Sequence, residues 1–334
     1  MLLGVPLVQV ALFGFAIELT PRILGVTVVA STADAFERAR QSLERDPLGA
    51  NLRRAESAAA ARRSLARSET QVVVDVDELP VRVDIDGTDP VLAAHARAAI
   101  ERYAHQWAVD AGGVGDDPIG MRVTTVFNPA ARTQPYLVSG LLGLILTMTL
   151  VMMSALCVAR ERERGTLENL MALGVQPIQL AVGKLAPYLL IGILQGAAVL
   201  LLARLAFGVV VQGSWVLLAV SGAVFAFTNL CLGFLFSNLA RAQMPAMQMT
   251  FFFFLPSSLL SGFMFPFSAM PGWARAIGEA LPLTHFLRIV RGIALRGVDA
   301  DYVVSELIPI VVIGLVVGAA AIASCQRLLH RGPA

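Results

Sequence analysis

The residues best suited to chemistry lie in one stretch, ARERERGTLENLMALGVQP, from Ala159 to Pro177. Arg and Glu alternate from Arg160 to Arg164 directly after a long apolar run, which ends a membrane helix at the water interface. Gly165 then permits a sharp change of direction. Thr166 is placed to N-cap a short amphipathic helix that carries Leu167, Leu170, Met171 and Leu173. Glu168 falls in its first turn, where the helix dipole favours a negative charge. The chemistry open to such a segment is recognition: a helix along the membrane surface that offers a partner one apolar face. An ordinary interfacial loop is the alternative reading.

Bond-making chemistry has no comparable candidate. No GxxxxGK[ST] loop is present, so nucleotide phosphates cannot be cradled by that route. HExxH, GxSxG and paired Cys/His metal spacings are also missing, and no catalytic, cofactor-binding or metal-ligating residue is expected. The four histidines, His95, His105, His285 and His330, are isolated and read as satisfied surface residues. Cys157, Cys231 and Cys325 sit in apolar runs and read as small buried hydrophobes. The glycines of DAGGVGDD, residues 110–117, do not lead from a strand into a helix, so they read as a loop.

The elements that must position the Ala159–Pro177 stretch are written in the composition. The chain has 334 residues, 56% of them hydrophobic and 15% charged, well below the roughly 25% charge of soluble domains. Of its 26 basic and 24 acidic residues, 31 lie between Glu18 and Arg132 and 19 are spread over the 202 positions from Thr133 onward. Two solvents are implied, water for the first block and lipid for the rest. The net charge of +2 and the lack of aromatics among the arginines give no reason to expect nucleic acid as a partner.

Crossing the hydrocarbon core takes about 20 apolar residues. Five stretches meet that need: Leu137 to Ala159, Leu185 to Ala203, Trp215 to Phe236, Pro245 to Phe267 and Leu307 to Ser324. A sixth, Leu2 to Ile17, is one turn short, and a first membrane helix over residues 1–19 is expected with its beginning missing. Pro256 should kink the fourth stretch. The pairs Gly192/Gly196 and Gly314/Gly318 mark close helix approach, within the chain or at a subunit interface. The spans carry no charge at their centres, which argues against an ion-coupled carrier, although Asn229, Gln248, Ser257 and Ser258 could line a polar path. Residues 20–136 read as a separate α/β domain. Strands are predicted at 23–30, 70–76, 81–85 and 121–127, and helices at 33–45, 52–67 and 90–109. With the N-terminus inside, short inner segments hold seven basic residues against five outside, a weak orientation signal.

The segment RERERGTLENLMALGVQPIQLAVGKLAPY resembles the signature of ABC transporter permeases of the type-2 exporter class. The likeness extends to VFNPAARTQPYLVSGLLGLIL and to LSGFMFPFSAMPGWARAIGEALPLTHFLRIVRGIALRG, and the opening VPLVQVALFGFAIEL and VDIDGTDP are similar to the drug-export subgroup. The resemblance implies an α-helical membrane protein with about six transmembrane helices and an extracytoplasmic α/β domain inserted between helices one and two. Five helices would occupy residues 137–334, with a coupling helix near 160–176 and re-entrant outer helices near 271–297. Glu161, Glu163, Gly165, Thr166 and Glu168 would belong to the coupling helix that docks on a separate ATPase subunit. Arg288 and Arg291 would lie on the polar side of the outer helices.

Further implications are a transport subunit that is not itself an enzyme, ATP bound by the partner rather than by this chain, and a second permease, identical or paralogous. The setting would be the bacterial inner membrane, with residues 20–136 outside the cytoplasm and a drug-like or amphipathic cargo. Relatives usually begin with a basic amphipathic helix that these residues lack, so a misassigned start or a fragment is expected. The outer domain is expected to be shortened between Arg67 and Asp84. Two rival functions are a membrane-anchored assembly or sensor protein acting through the outer domain, and an ion-coupled secondary carrier.

Overall fold

The computed structural model describes residues 25–43, 51–77, 81–110, 121–130, 132–267 and 270–331. The expected first membrane helix and the 111–117 part of the glycine loop lie outside those residues.

The first half folds as an α/β layer: β1 (Gly25–Val29), α1 (Ala33–Leu43), β2 (Asn51–Ala55), α2 (Ala58–Ala66), β3 (Val72–Asp75), β4 (Arg82–Asp86), α3 (Pro90–Asp110) and β5 (Arg122–Val126). The sheet order is β2-β1-β3-β4-β5. Only β3 and β4 pair antiparallel; β1 is parallel to β2 and β3, and β4 to β5. Alternation along the strands sends Val26, Val28, Val72, Val74, Val83 and Ile85 to one face, where α1 and α3 cover them. Val29 and Val73 point the other way, against Ala61 and Leu65 of α2.

The sheet corrects the predicted helix at 52–67, whose first part is β2. NLRRA has no β-branched residue and is mostly exposed. It is an edge strand held by backbone pairing in register Gly25 with Asn51 through Val29 with Ala55, so tertiary pairing overrides local preference.

The second half is helical: α4 (Thr133–Glu163), α5 (Leu167–Ala172), α6 (Pro177–Phe207), α7 (Trp215–Leu239), α8 (Gln243–Leu260), α9 (Gly272–Glu279), α10 (Pro282–Arg291) and α11 (Ala300–Arg331). A π-helical turn, Gly292–Arg296, follows α10 directly. Among the described residues four helices, α4, α6, α7 and α11, are long and apolar enough to cross a membrane. The expected span from Pro245 to Phe267 is divided instead: α8 stops at Leu260, and Gly262 turns the chain at φ +83°. At about 1.5 Å per residue, the 18 residues of α8 reach roughly 27 Å. Pro256 lies inside α8, as its position predicted.

Helices α4 and α7 form the centre and are buried over more than half of their apolar stretches, whereas α6 and α11 are largely exposed. The outward side chains of α6 and α11, such as Leu190, Leu194, Leu315 and Val316, are apolar, as a lipid-facing surface requires. Crossings at the centre are close. A side chain at Gly233 of α7 would collide with Ser154 and the Val151 carbonyl of α4. Both small-residue pairs also pack inside the chain: Gly192 and Gly196 against Leu150 and Leu146 of α4, Gly314 and Gly318 against Thr228 and Cys231 of α7. Phe286 of α10 stacks on Phe225 of α7 at 4.0 Å between centroids, which ties the short outer helices into the bundle core.

Candidate functional site

The stretch from Ala159 to Pro177 forms an elbow between α4 and α6. Just before it, the Ser237 hydroxyl of α7 accepts the backbone N–H groups of Val158 and Ala159 at 2.8 and 2.9 Å, anchoring the end of α4. The helix then closes on a left-handed glycine. Gly165 sits at φ +72°, its N–H donates to the Arg162 carbonyl, and the Thr166 N–H reaches back to the Glu161 carbonyl at 3.0 Å. This pair of bonds is a Schellman motif. It answers carbonyls that the end of α4 would otherwise leave unpaired. Gly174, at φ +68°, repeats the device after α5, with the Val175 N–H on the Leu170 carbonyl. Helix α6 then starts at Pro177 behind a reciprocal cap between Gln176 and Gln179.

The charged side chains hold this elbow from within. Glu161 Oε1 accepts from Lys184 Nζ at 2.6 Å, and its other oxygen meets the Thr166 hydroxyl. Thr166 was expected to cap α5, but its hydroxyl turns back to the Glu161 carboxylate and carbonyl. A charged acceptor makes the stronger bond. Glu163 Oε2 accepts from Gln243 Nε2 at 2.7 Å and from the Gln243 N–H at 3.2 Å. It thus supplies the anion at the start of α8, whose own N-cap, Ala242, has no side-chain acceptor. Arg162 Nη1 donates to the Ala240 carbonyl at 3.3 Å. Glu163, Gly165 and Glu168 are exposed, and of these Glu168 lies on α5 itself, beside exposed Asn169 and Leu173, while Leu167 is buried and Leu170 half-buried. Glu161, Glu163, Gly165 and Thr166 therefore shape the elbow through side-chain bonds or backbone, and Glu168 stands on the exposed side of α5.

Two participants were not foreseen. Lys184 is the only lysine in a chain with 25 arginines, a signal visible in the sequence. Gln243 lies 80 residues from Glu163 and carries no local mark.

The outer helices also depart from expectation. His285 is buried rather than a surface residue: Nδ1 lies 2.6 Å from Glu306 and Nε2 2.9 Å from the Glu279 carbonyl. Arg288 binds Glu279 with both terminal nitrogens, at 2.6 and 3.0 Å. Arg291 does not lie on a solvated side; it stacks 4.0 Å over Tyr136, and two of its nitrogens are buried without a hydrogen bond. The candidate path residues Ser257 and Ser258 are buried and bonded to carbonyls of their own helix, Asn229 is buried, and Gln248 is exposed. The three cysteines are buried, as expected.

An apolar groove of about 360 Å³ lies between α4, α6 and α7, with Leu142, Leu146, Ile193, Leu200, Leu218 and Phe286 on its walls. No cluster of His, Cys, Asp and Glu able to hold a metal occurs among the described residues.

The family model described as ABC-2 family transporter protein matches residues 1–323. The chain belongs to this family. It is 32% identical over 223 residues to the probable multidrug ABC transporter permease YbhS of Escherichia coli, a match covering 65% of this chain and 59% of YbhS. To the probable multidrug permease YbhR of the same organism it is 31% identical over 201 residues, covering 60% of this chain and 55% of YbhR. A match of 27% identity over 187 residues to ABC transporter G family member 20 of Dictyostelium discoideum covers 56% of this chain and 26% of that one. The matches thus span less than two thirds of each relative. Membership in this ABC-2 family, with four helices able to cross a membrane, makes the chain a multi-pass membrane protein.

Proposed function

We propose that the chain is the membrane-spanning permease subunit of an ABC exporter, powered by a separate ATPase subunit that carries the ATP. The permease names of YbhS and YbhR and the family match support this reading. The single observation that carries it is the elbow, pinned to its neighbouring helices by Glu161–Lys184 and Glu163–Gln243 while Glu168, Asn169 and Leu173 face outward. A docking surface needs both properties: a rigid frame behind it and free side chains in front.

From the elbow, α4 runs as one 31-residue helix to Thr133, roughly 46 Å at about 1.5 Å per residue, and in its far turn the Tyr136 hydroxyl bonds Asp89 of the α/β layer. Closure of the partner ATPases on ATP would push α5. The Glu161–Lys184 bond passes that push to α4 and α6 together, and the central α4–α7 pair carries it across the bundle. The energy enters as a difference in contact between two states of the partner. In this reading two permease chains, identical or paralogous, enclose the path, and six helices span the bacterial inner membrane with the α/β layer outside the cytoplasm. The chain itself performs no catalysis. The apolar groove between α4, α6 and α7 suits an amphipathic, drug-like cargo.

The test is reconstitution in proteoliposomes with and without an ATPase subunit. Export that requires the subunit and its ATP supports the reading; transport by this chain alone, or driven by an ion gradient, refutes it.

A further inference from the structure

Where the α/β layer meets the helical bundle there is a cavity of about 480 Å³. Its walls include Asp86 at the end of β4, Thr88 and Asp89 just beyond it, Ser261 and Gly262 after α8, Arg291 at the end of α10 and Arg296 at the end of the π-helical turn. Among the described residues nine buried side-chain nitrogen or oxygen atoms make no hydrogen bond. Five of them belong to residues on these walls: Thr88 Oγ1, Ser261 Oγ, Arg291 Nε, Arg291 Nη2 and Arg296 Nε. Buried polar atoms almost always find partners, and a charged donor left without one costs most. Their concentration in one cavity marks a place built to be filled.

The geometry states what would fill it. Arg291 Nη1 donates to the Gly262 carbonyl at 3.0 Å and the guanidinium face covers Tyr136. That leaves the Nε/Nη2 edge, the planar fork that matches two oxygens of a carboxylate or phosphate. Arg296, only 9% exposed, is tied through Nη1 to Ser68 and keeps Nε free. The two guanidiniums are close enough to repel each other.

Of the acids on the walls, Glu69 is exposed to solvent, and Asp86, Asp89, Glu279 and Glu306 are engaged elsewhere. Asp89 accepts from the Val91 and Leu92 N–H groups and the Tyr136 hydroxyl; Glu279 and Glu306 are bound to Arg288 and His285. Asp86 accepts the Thr88 N–H, and burial holds its carboxyl above the usual range against the pull of Arg296. It is a poor counter-ion. Leu92, Phe267 and Leu287 supply an apolar wall beside the cationic one.

We propose that this cavity binds the oxyanion head, carboxylate or phosphate, of an amphipathic molecule. The Nε/Nη2 edge of Arg291 and Nε of Arg296 grip the anion, the Thr88 and Ser261 hydroxyls add donors, and the apolar part lies on Leu92, Phe267 and Leu287. This goes beyond the export reading and does not depend on it, because binding is measured on the chain without an ATPase.

The probes are short-chain phosphatidylglycerol, inorganic phosphate and, as the zwitterionic control, short-chain phosphatidylcholine, titrated into the purified full chain in neutral detergent. Phosphatidylglycerol should bind saturably, at least tenfold more tightly than phosphatidylcholine. Arg291→Gln and Arg296→Gln should each weaken it at least tenfold, without lowering the melting temperature of the empty protein. Thr88→Val and Ser261→Ala should weaken it a few-fold. Competition by phosphate identifies the oxyanion alone as the recognised group, whereas phosphatidylglycerol binding without phosphate binding adds the apolar wall to the recognition. Binding of either anion that is unchanged in Arg291→Gln and Arg296→Gln, or no anion binding at all, overturns the proposal and leaves a water-filled cavity.

Discussion

Replacing Gly165 by alanine separates the backbone of the elbow from its packing. Gly165 lies at φ +72°, and a Cβ built there meets nothing within 4 Å. Collision therefore adds nothing, and the cost is that of an L-residue in the left-handed region, about 1–2 kcal/mol. Asparagine tolerates that region and should cost less; valine, branched at Cβ, should cost more. Helix α5 has six residues, too few to persist alone, so the strain should be relieved by fraying of α5 while α4 and α7 stay packed. A penalty of about 1–2 kcal/mol shifts the bent-to-frayed ratio roughly 5–30-fold. The assay is equilibrium binding of each purified variant to the proposed ATPase subunit, with melting temperature recorded in parallel. Affinity should fall in the order Gly, Asn, Ala, Val at nearly constant melting temperature. If Asn and Val bind equally, or Ala binds like the native chain, the conformation of Gly165 does not govern docking.

Lys184→Met and Glu161→Gln should be coupled by about 1 kcal/mol in a double-mutant cycle of thermal stability, a modest figure because the two side chains are 32% and 25% exposed; additivity within error would show that the bond contributes nothing. Burial raises the Asp86 carboxyl, so its ionised form is a cost that is absent below about pH 4 and grows as pH rises above it. Asp86→Asn should therefore raise the melting temperature at pH 7 and leave it unchanged near pH 3.5, and a variant no more stable at pH 7 refutes the assignment. Gly233→Ala pushes a methyl group into the α4–α7 contact, whereas at Gly183 a Cβ meets nothing within 4 Å. The first should lower detergent stability by several kcal/mol or prevent folding, the second should change it little, and equal melting temperatures would contradict the described crossing.

What the sequence by itself determined is what short-range patterns encode. Uncharged apolar runs placed α4, α6, α7 and α11, because lipid tolerates only backbone that satisfies itself within a helix. Alternating and β-branched runs placed β1, β3, β4 and β5, and Gly165 marked the elbow because few residues accept a positive φ. The structure decided everything that depends on residues distant in the chain. β2 exists only because β1 offers it an edge, and the family resemblance named Glu163 without disclosing that it caps a helix 80 residues away. A glycine pair permits close approach without naming its partner, so only the fold showed that Gly192 and Gly314 face α4 and α7 of the same chain. His285 and Arg291 look solvent-bound in sequence because charge alone does not reveal enclosure. The burial of His285, and the cavity that leaves two Arg291 nitrogens without a hydrogen bond, arise where the end of α10 faces residues of the α/β layer, a meeting that no local pattern records.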